Sequence, residues 1–183
     1  LVDDFYSSFE FPEGSSLTLN AIQNKSEWTN ATHFLNFAGS ADALAQLRDL
    51  RSGDEYDTYV NNLQGLAKIV AMKQGQSLVR IPGENGTYSE QMWSFFVENP
   101  GVFAEAFVEL NKGFSNGNYI SLGMYTGGER NETHYIYTTH SDAKNQFTFF
   151  PDNEKEQKAF AKFQSSVSPI SQFKGSIIST VLG

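Results

Sequence analysis

Imidazoles are the side chains best suited to moving a proton near neutral pH, and this chain has three, His33, His134 and His140. Two of them recur in register. Asn30-Ala-Thr-His-Phe-Leu-Asn-Phe-Ala-Gly-Ser returns 101 residues later as Asn131-Glu-Thr-His-Tyr-Ile-Tyr-Thr-Thr-His-Ser, with Asn, Thr, His and the closing Ser matched and an aromatic after each His. His33 and His134 are therefore the candidate catalytic residues, as proton-handling or ligand-contacting groups near the ends of two related strands. The other reading is a histidine inherited with a repeat, hydrogen-bonded to a neighbouring strand or loop.

A polar-aromatic face accompanies them. Strand periodicity puts Leu17, Leu19 and Ala21 on one side of a strand, and Ile120, Leu122 and Met124 on one side of another. The opposite sides carry Thr18, Asn20, Ser121, Gly123 and Tyr125, and the adjacent strands add Phe34, Asn36, Tyr135 and Tyr137. Aromatics mixed with a few polar groups suit a small-molecule pocket. Asn20, Asn36, Tyr125, Tyr135, Tyr137 and Trp93 are the candidate ligand-binding residues. The same side chains could equally fill a barrel interior or a sheet–sheet interface.

Several chemistries are excluded or unsupported. With no Cys there is no disulfide, thiolate nucleophile, iron–sulfur cluster or Cys-based zinc site. The carboxylates near the histidines lack ligand spacing, so no metal and no cofactor is expected. Asp49, Asp54, Glu55 and Asp57 lack the alternation of an EF-hand loop and read as solvated charge at a helix start. No Gly-x-Ser-x-Gly elbow occurs. The net charge of −8 without a Lys/Arg cluster argues against nucleic acid. No apolar run approaches the ~20 residues that span a bilayer. Asn-x-Ser/Thr triplets at Asn24, Asn30, Asn85 and Asn131 lean towards an extracytoplasmic setting.

The elements that must position these residues follow from spacing and punctuation. A helix is predicted over residues 1–11, and strands over 16–23 and 32–38. Ser40 caps a helix to Leu50, and apolar residues three and four apart predict a longer helix over 55–73, ended by Gln74-Gly75, then a strand over 77–81. Residues 83–90 read as a linker. The second half opens with a buried strand over 91–98. A helix from Asn99-Pro100 closes at Gly113. Strands over 118–126 and 132–139 join through Gly127-Gly128. A helix capped by Asp152 or Asn153 runs to Ser168, and a strand covers 176–182. Phe103, Phe107, Phe160, Phe163, Leu63 and Leu66 should be nearly buried.

The predicted fold class is α+β. It comprises two tandem ferredoxin-like β-α-β-β-α-β repeats with antiparallel sheets, residues 1–82 and 91–183, the first lacking its opening strand. The chain starts at Leu1, inside the first repeat, so an upstream segment or another chain is expected to supply that strand. Each unit of ~90 residues is the split βαβ motif, and two in one chain resemble the dimeric α/β-barrel superfamily. That superfamily includes antibiotic-biosynthesis monooxygenase-type proteins and haem-binding peroxidase-like ones. The resemblance is one of topology over nearly the whole chain. It implies two four-stranded sheets packed as a barrel with helices outside. The Asp/Arg pair and proximal His of the haem-binding branch find no match, and no catalytic residue is carried over. The function this implies is binding of a small apolar or aromatic molecule, up to a cofactor-free monooxygenase-type enzyme. The alternative is a non-catalytic interaction or assembly module that pairs through its sheets, including a homo-oligomer through an open sheet edge.

Overall fold

The computed structural model describes residues 1–25, 29–84, 86–114 and 117–182. Trp28 and Asn85 lie outside the described residues. The chain divides into two compact units, one of residues 1–21, 31–70 and 181–183, the other of residues 22–30 and 71–180.

The first unit holds α1 (Val2–Tyr6), β1 (Ser16–Lys25, which runs on into the second unit), β2 (His33–Ala38), α2 (Ala41–Leu50) and α3 (Asp54–Gln64). The Ser40 hydroxyl accepts from the Ala43 amide at 3.1 Å and starts α2 as predicted. Its inward stripe is Ala43 and Leu47, while Leu50 turns to solvent. Gly53, at φ 87°, sets the chain into α3. Tyr6 and Tyr59 complete this core, with Phe5 stacked on Tyr59 at 4.2 Å. β1 and β2 pair antiparallel from Ser16↔Ala38 to Ala21↔His33.

Three expectations fail here. α1 stops at Tyr6, short of residue 11. The helix predicted over 55–73 ends at Gln64, and Leu66 is 78% exposed rather than buried. Gly65 follows the last helical residue, and carrying the helix on through it would cost about 1 kcal/mol relative to alanine. The next strand begins at Gln74, so residues 74 and 75 are not a helix cap but the start of a ladder. Periodicity marks a helix that could form; without a surface to bury its stripe, residues 67–73 take up neither helix nor strand.

The second unit contains β3 (Gln74–Ile81), β4 (Ser89–Val97), α4 (Pro100–Gly113), β5 (Ile120–Gly127), β6 (His134–His140), α5 (Ala143–Phe147), α6 (Glu154–Val167) and β7 (Ser171–Val181). β4 begins inside the stretch read as a linker. All seven strands among the described residues form one sheet, in the order β2-β1-β7-β4-β6-β5-β3, and the registered pairs are antiparallel. Within it β7, β4, β6 and β5 lie side by side, with α4 crossing from β4 to β5 and α6 from β6 to β7. This is the split βαβ arrangement of a ferredoxin-like fold. Six helices are described, none long and apolar enough to cross a membrane.

Asn99 caps α4 by accepting from the Val102 amide at 3.2 Å, with Pro100 at the first helical position. Asn153 caps α6 by accepting from Glu156 at 3.0 Å. The two helices pack together on one sheet face and enclose Val97, Phe103, Phe107, Ile120, Leu122, Phe163 and Val167. Phe160 is only half-buried. Phe107→Ala should therefore cost about 3–5 kcal/mol, whereas Leu66→Ala should stay within about 0.5 kcal/mol. Urea unfolding of both variants checks this; equal losses would mean that residues 65–73 pack in solution.

Candidate ligand-binding face

The face of the second unit turned away from α4 and α6 carries its polar chemistry. On β4 the alternation places Glu90, Met92 and Ser94 there. The ladders bring Thr139, Tyr137 and Tyr135 of β6 opposite these three residues. Ser121 and Gly123 of β5 lie opposite Tyr137 and Tyr135, Gly75 of β3 lies opposite Tyr125, and Ser179 of β7 opposite Glu90. One face thus gathers a carboxyl, three phenols and several hydroxyls, all on strands.

Close packing fixes the phenols. A Cβ on Gly123 would lie 2.1 Å from the Tyr135 ring, so only glycine leaves room for that ring to lie across β5. The Tyr135 and Tyr125 rings are 5.1 Å apart, and Tyr137 meets Tyr119 edge-on at 5.9 Å. The hydroxyls of Ser94 and Tyr125 lie 2.9 Å apart, and Tyr125 reaches the Met92 sulfur at 3.6 Å. At the rim Lys73 pairs with the buried Glu132, its ammonium 5.2 Å from the Tyr125 ring centre.

Glu90 is the central group. It is 5% exposed and hydrogen-bonded to the Tyr137 phenol, while its second oxygen, Oε2, is buried without a partner. Burial raises its pKa above the ordinary 4.5, and the Tyr137 bond only partly offsets this. Burial likewise raises the pKa values of Tyr125, Tyr135 and Tyr137, so the phenols stay protonated and can donate. A carboxyl with a raised pKa beside neutral donors can take up a proton and hold a hydroxyl or carbonyl of a ligand.

Of the predicted residues, Tyr125, Tyr135 and Tyr137 share this face. Trp93 does not. It sits opposite Ile136 in register, on the helix side, with its ring 6.1 Å from Phe149. Side chains alternate along a strand, so Trp93 must face away from Met92 and Ser94. His134 also lies on the helix side, 4% exposed, its ring 6.2 Å from Phe103 and its Nδ1 2.9 Å from the Thr133 hydroxyl. Burial lowers its pKa and keeps it neutral. His33 is exposed, its Nδ1 3.1 Å from the Thr32 hydroxyl. Neither histidine joins the phenols. In the first unit Asn20 and Asn36 share a face of β1–β2, opposite Phe34 and Thr18 respectively. Asn20 is fully buried, donating to the Thr18 hydroxyl at 3.1 Å while its Oδ1 is unpartnered. Glu90 was missed because the strand was read from residue 91; the alternation Glu90, Met92, Ser94 was available to find it. Among the described residues a cavity of about 190 Å³ and a shallow surface depression of about 360 Å³ open elsewhere, the depression beside Asp4, Phe5, Asp54 and Glu55 of the first unit.

No family model matches this chain, and no curated protein matches it by sequence. Solved structures do share the fold. A proposed monooxygenase from Fusobacterium nucleatum subsp. nucleatum superposes with a TM-score of 0.59 at 12% identity, covering 100% of this chain and 83% of that one. An anthrone oxidase-like protein gives 0.55 at 12% identity, covering 100% and 82%. A proposed monooxygenase from Lactobacillus acidophilus gives 0.53 at 10% identity, covering 99% and 82%. Likeness at this identity establishes the α+β fold with its antiparallel sheet.

An acid whose pKa is higher folded than unfolded costs stability as pH rises through and above its ordinary value. Glu90→Gln removes that loss. The melting temperature of the variant minus that of the wild type should therefore grow from about pH 4 to about pH 7. A difference that is flat with pH would show that Glu90 ionises normally.

Proposed function

We propose that the chain binds a small apolar or aromatic molecule bearing a hydroxyl or carbonyl, and acts as a cofactor-free monooxygenase-type enzyme. One observation carries the reading: the buried Glu90 carboxyl, bonded on one side to Tyr137, keeps an unpartnered oxygen on a face lined by neutral phenols. An unpaired buried oxygen costs about 1–3 kcal/mol, a loss that a donor on a ligand would recover. Glu90 is the proposed base and Tyr137 the group that holds it. The carboxylate takes a proton from an acidic C–H or phenol, the enolate so formed reduces dioxygen, and a ring CH₂ becomes C=O with release of water. The neighbours named as monooxygenases and an oxidase-like protein support this reading.

Tandem organisation belongs to the same proposal. Thr32-His33 and Thr133-His134 make the same hydroxyl–Nδ1 contact, each His opening its strand. This supports two ferredoxin-like repeats, β1–β3 in the first and β4–β7 in the second.

The test uses anthrone as probe, read by thermal shift and oxygen uptake. Wild-type protein should show a saturable shift and consume oxygen. Glu90→Gln should lower the rate about 10²-fold or more. Tyr137→Phe should weaken binding by about 1–3 kcal/mol, while His33→Ala and His134→Ala should leave turnover intact. Turnover undiminished in folded Glu90→Gln would reject Glu90 as the base.

Assembly is the second reading, favoured by Leu66, Ile69, Val70 and Met72, each more than half exposed on one short stretch. If it holds, sedimentation should show self-association that Leu66→Ser with Met72→Ser abolishes. A wild-type monomer at high concentration would dismiss this self-pairing form of it.

A further inference from the structure

The segment joining β6 to α6 lines a cavity whose chemistry differs from that of the phenol face. α5 is started by Asp142, whose carboxylate accepts from the Asn145 amide at 2.7 Å. This holds Asn145 against a buried polar pair. Its Oδ1 accepts from Asn118 at 2.7 Å and lies 3.2 Å from Nδ1 of His140, a residue with no exposed surface. The chain then turns through Phe149 and Phe150 to the start of α6. The resulting cavity of about 190 Å³ is lined by Phe114, Phe149, Phe150, Asn145, Asp152 and Glu156.

Its walls are of two kinds. Phe114 and Phe149 meet edge-on, centroids 5.2 Å apart, and Phe149 is braced on the other side by His140 at 5.0 Å. Phe150 is 71% exposed, a large ring left in water beside the cavity. Facing the rings are two carboxylates. Glu156 uses Oε2 to accept from the Asp152 backbone amide at 3.2 Å, and Oδ1 of Asp152 accepts from the Asn153 side chain at 3.1 Å. Aromatic faces attract cations through the ring quadrupole, and carboxylates add charge; a neutral apolar ligand would gain nothing from Asp152 and Glu156. Among the described residues no basic side chain lines the cavity, and the net charge of −8 draws cations to the molecule as a whole. By volume the space takes roughly six water-sized groups, which is the size of a small quaternary ammonium.

We infer that the cavity between Phe114, Phe149, Phe150 and the Asp152/Glu156 carboxylates is a binding site for a small organic cation of the alkylammonium class. The rings enclose the methyl groups, Glu156 and Asp152 balance the charge, and Asn145 offers a side-chain amide to a hydroxyl on the ligand. None of this rests on the Glu90 face.

Choline and its neutral isostere 3,3-dimethylbutan-1-ol distinguish the charge from the shape. Calorimetric titration of the full chain should give saturable choline binding at least tenfold tighter than the isostere. Phe149→Leu and Glu156→Gln should each weaken choline at least fivefold. Thermal melts identify which variants remain folded, and Asp152→Asn, exposed and outside the core, gives a further variant should Phe149→Leu unfold. Equal affinity for choline and the isostere, no saturation by choline, or wild-type choline affinity in folded Glu156→Gln and Asp152→Asn would overturn the inference.

Discussion

Strand β4 is hydrogen-bonded along both edges, to β6 on one side and β7 on the other, and most of the second unit follows from that constraint. A strand with no free edge can differ only between its two faces. One face presents Trp93, Phe95 and Val97, and α4 and α6 cover it with Phe103, Phe107 and Phe163. The other presents Glu90, Met92 and Ser94. Because the flanking strands fill in on both sides, a carboxyl on that face is removed from water by its neighbours rather than by a deep pocket. Desolvation then shifts its ionisation without any second charge beside it.

The phenols around Glu90 follow the same logic. Tyr137 is half-buried and donates to the carboxyl. Tyr125 shares a hydrogen bond with Ser94, and Tyr135 lies in the space that Gly123 leaves. Each hydroxyl is held by another strand of the same sheet, so the geometry is fixed by ladders, not by loops. Among the described residues, the buried side-chain atoms of this face without a partner are the Ser179 hydroxyl and Oε2 of Glu90, on residues opposite each other in register. An unmet buried acceptor destabilises the fold, and Oε2 is useful only if something else donates to it. Ligand binding is the reading that gives that atom a role.

Much of the fold was legible because its signals are local. Ser40, Asn99-Pro100 and Asn153 announce helix starts through their own side chains, and all three make the expected cap. The strand faces holding Tyr125, Tyr135 and Tyr137 were legible from alternation. What failed depended on partners far along the chain. Residues 65–73 have a helical stripe but nothing on which to bury it, and Gly65 together with the β3–β5 ladder draws the chain elsewhere. β4 starts at Ser89 rather than Gln91, which brings Glu90 into it, and Trp93 faces the helices. The histidines drew attention by repetition. Their repeated feature is a Thr–His contact at the start of a strand, a structural role that repetition cannot distinguish from a catalytic one. α5 is one short turn with little apolar pattern, and its Asp142 cap passed unnoticed.

The central claim is that Glu90 is a desolvated carboxyl poised for a ligand. Carbon-13 NMR titration of the Glu90 carboxyl measures this without recourse to stability or turnover. The account predicts titration above the ordinary glutamate value of 4.5, and a change in that titration when anthrone is added. Titration at the ordinary value, unaltered by anthrone, would contradict it.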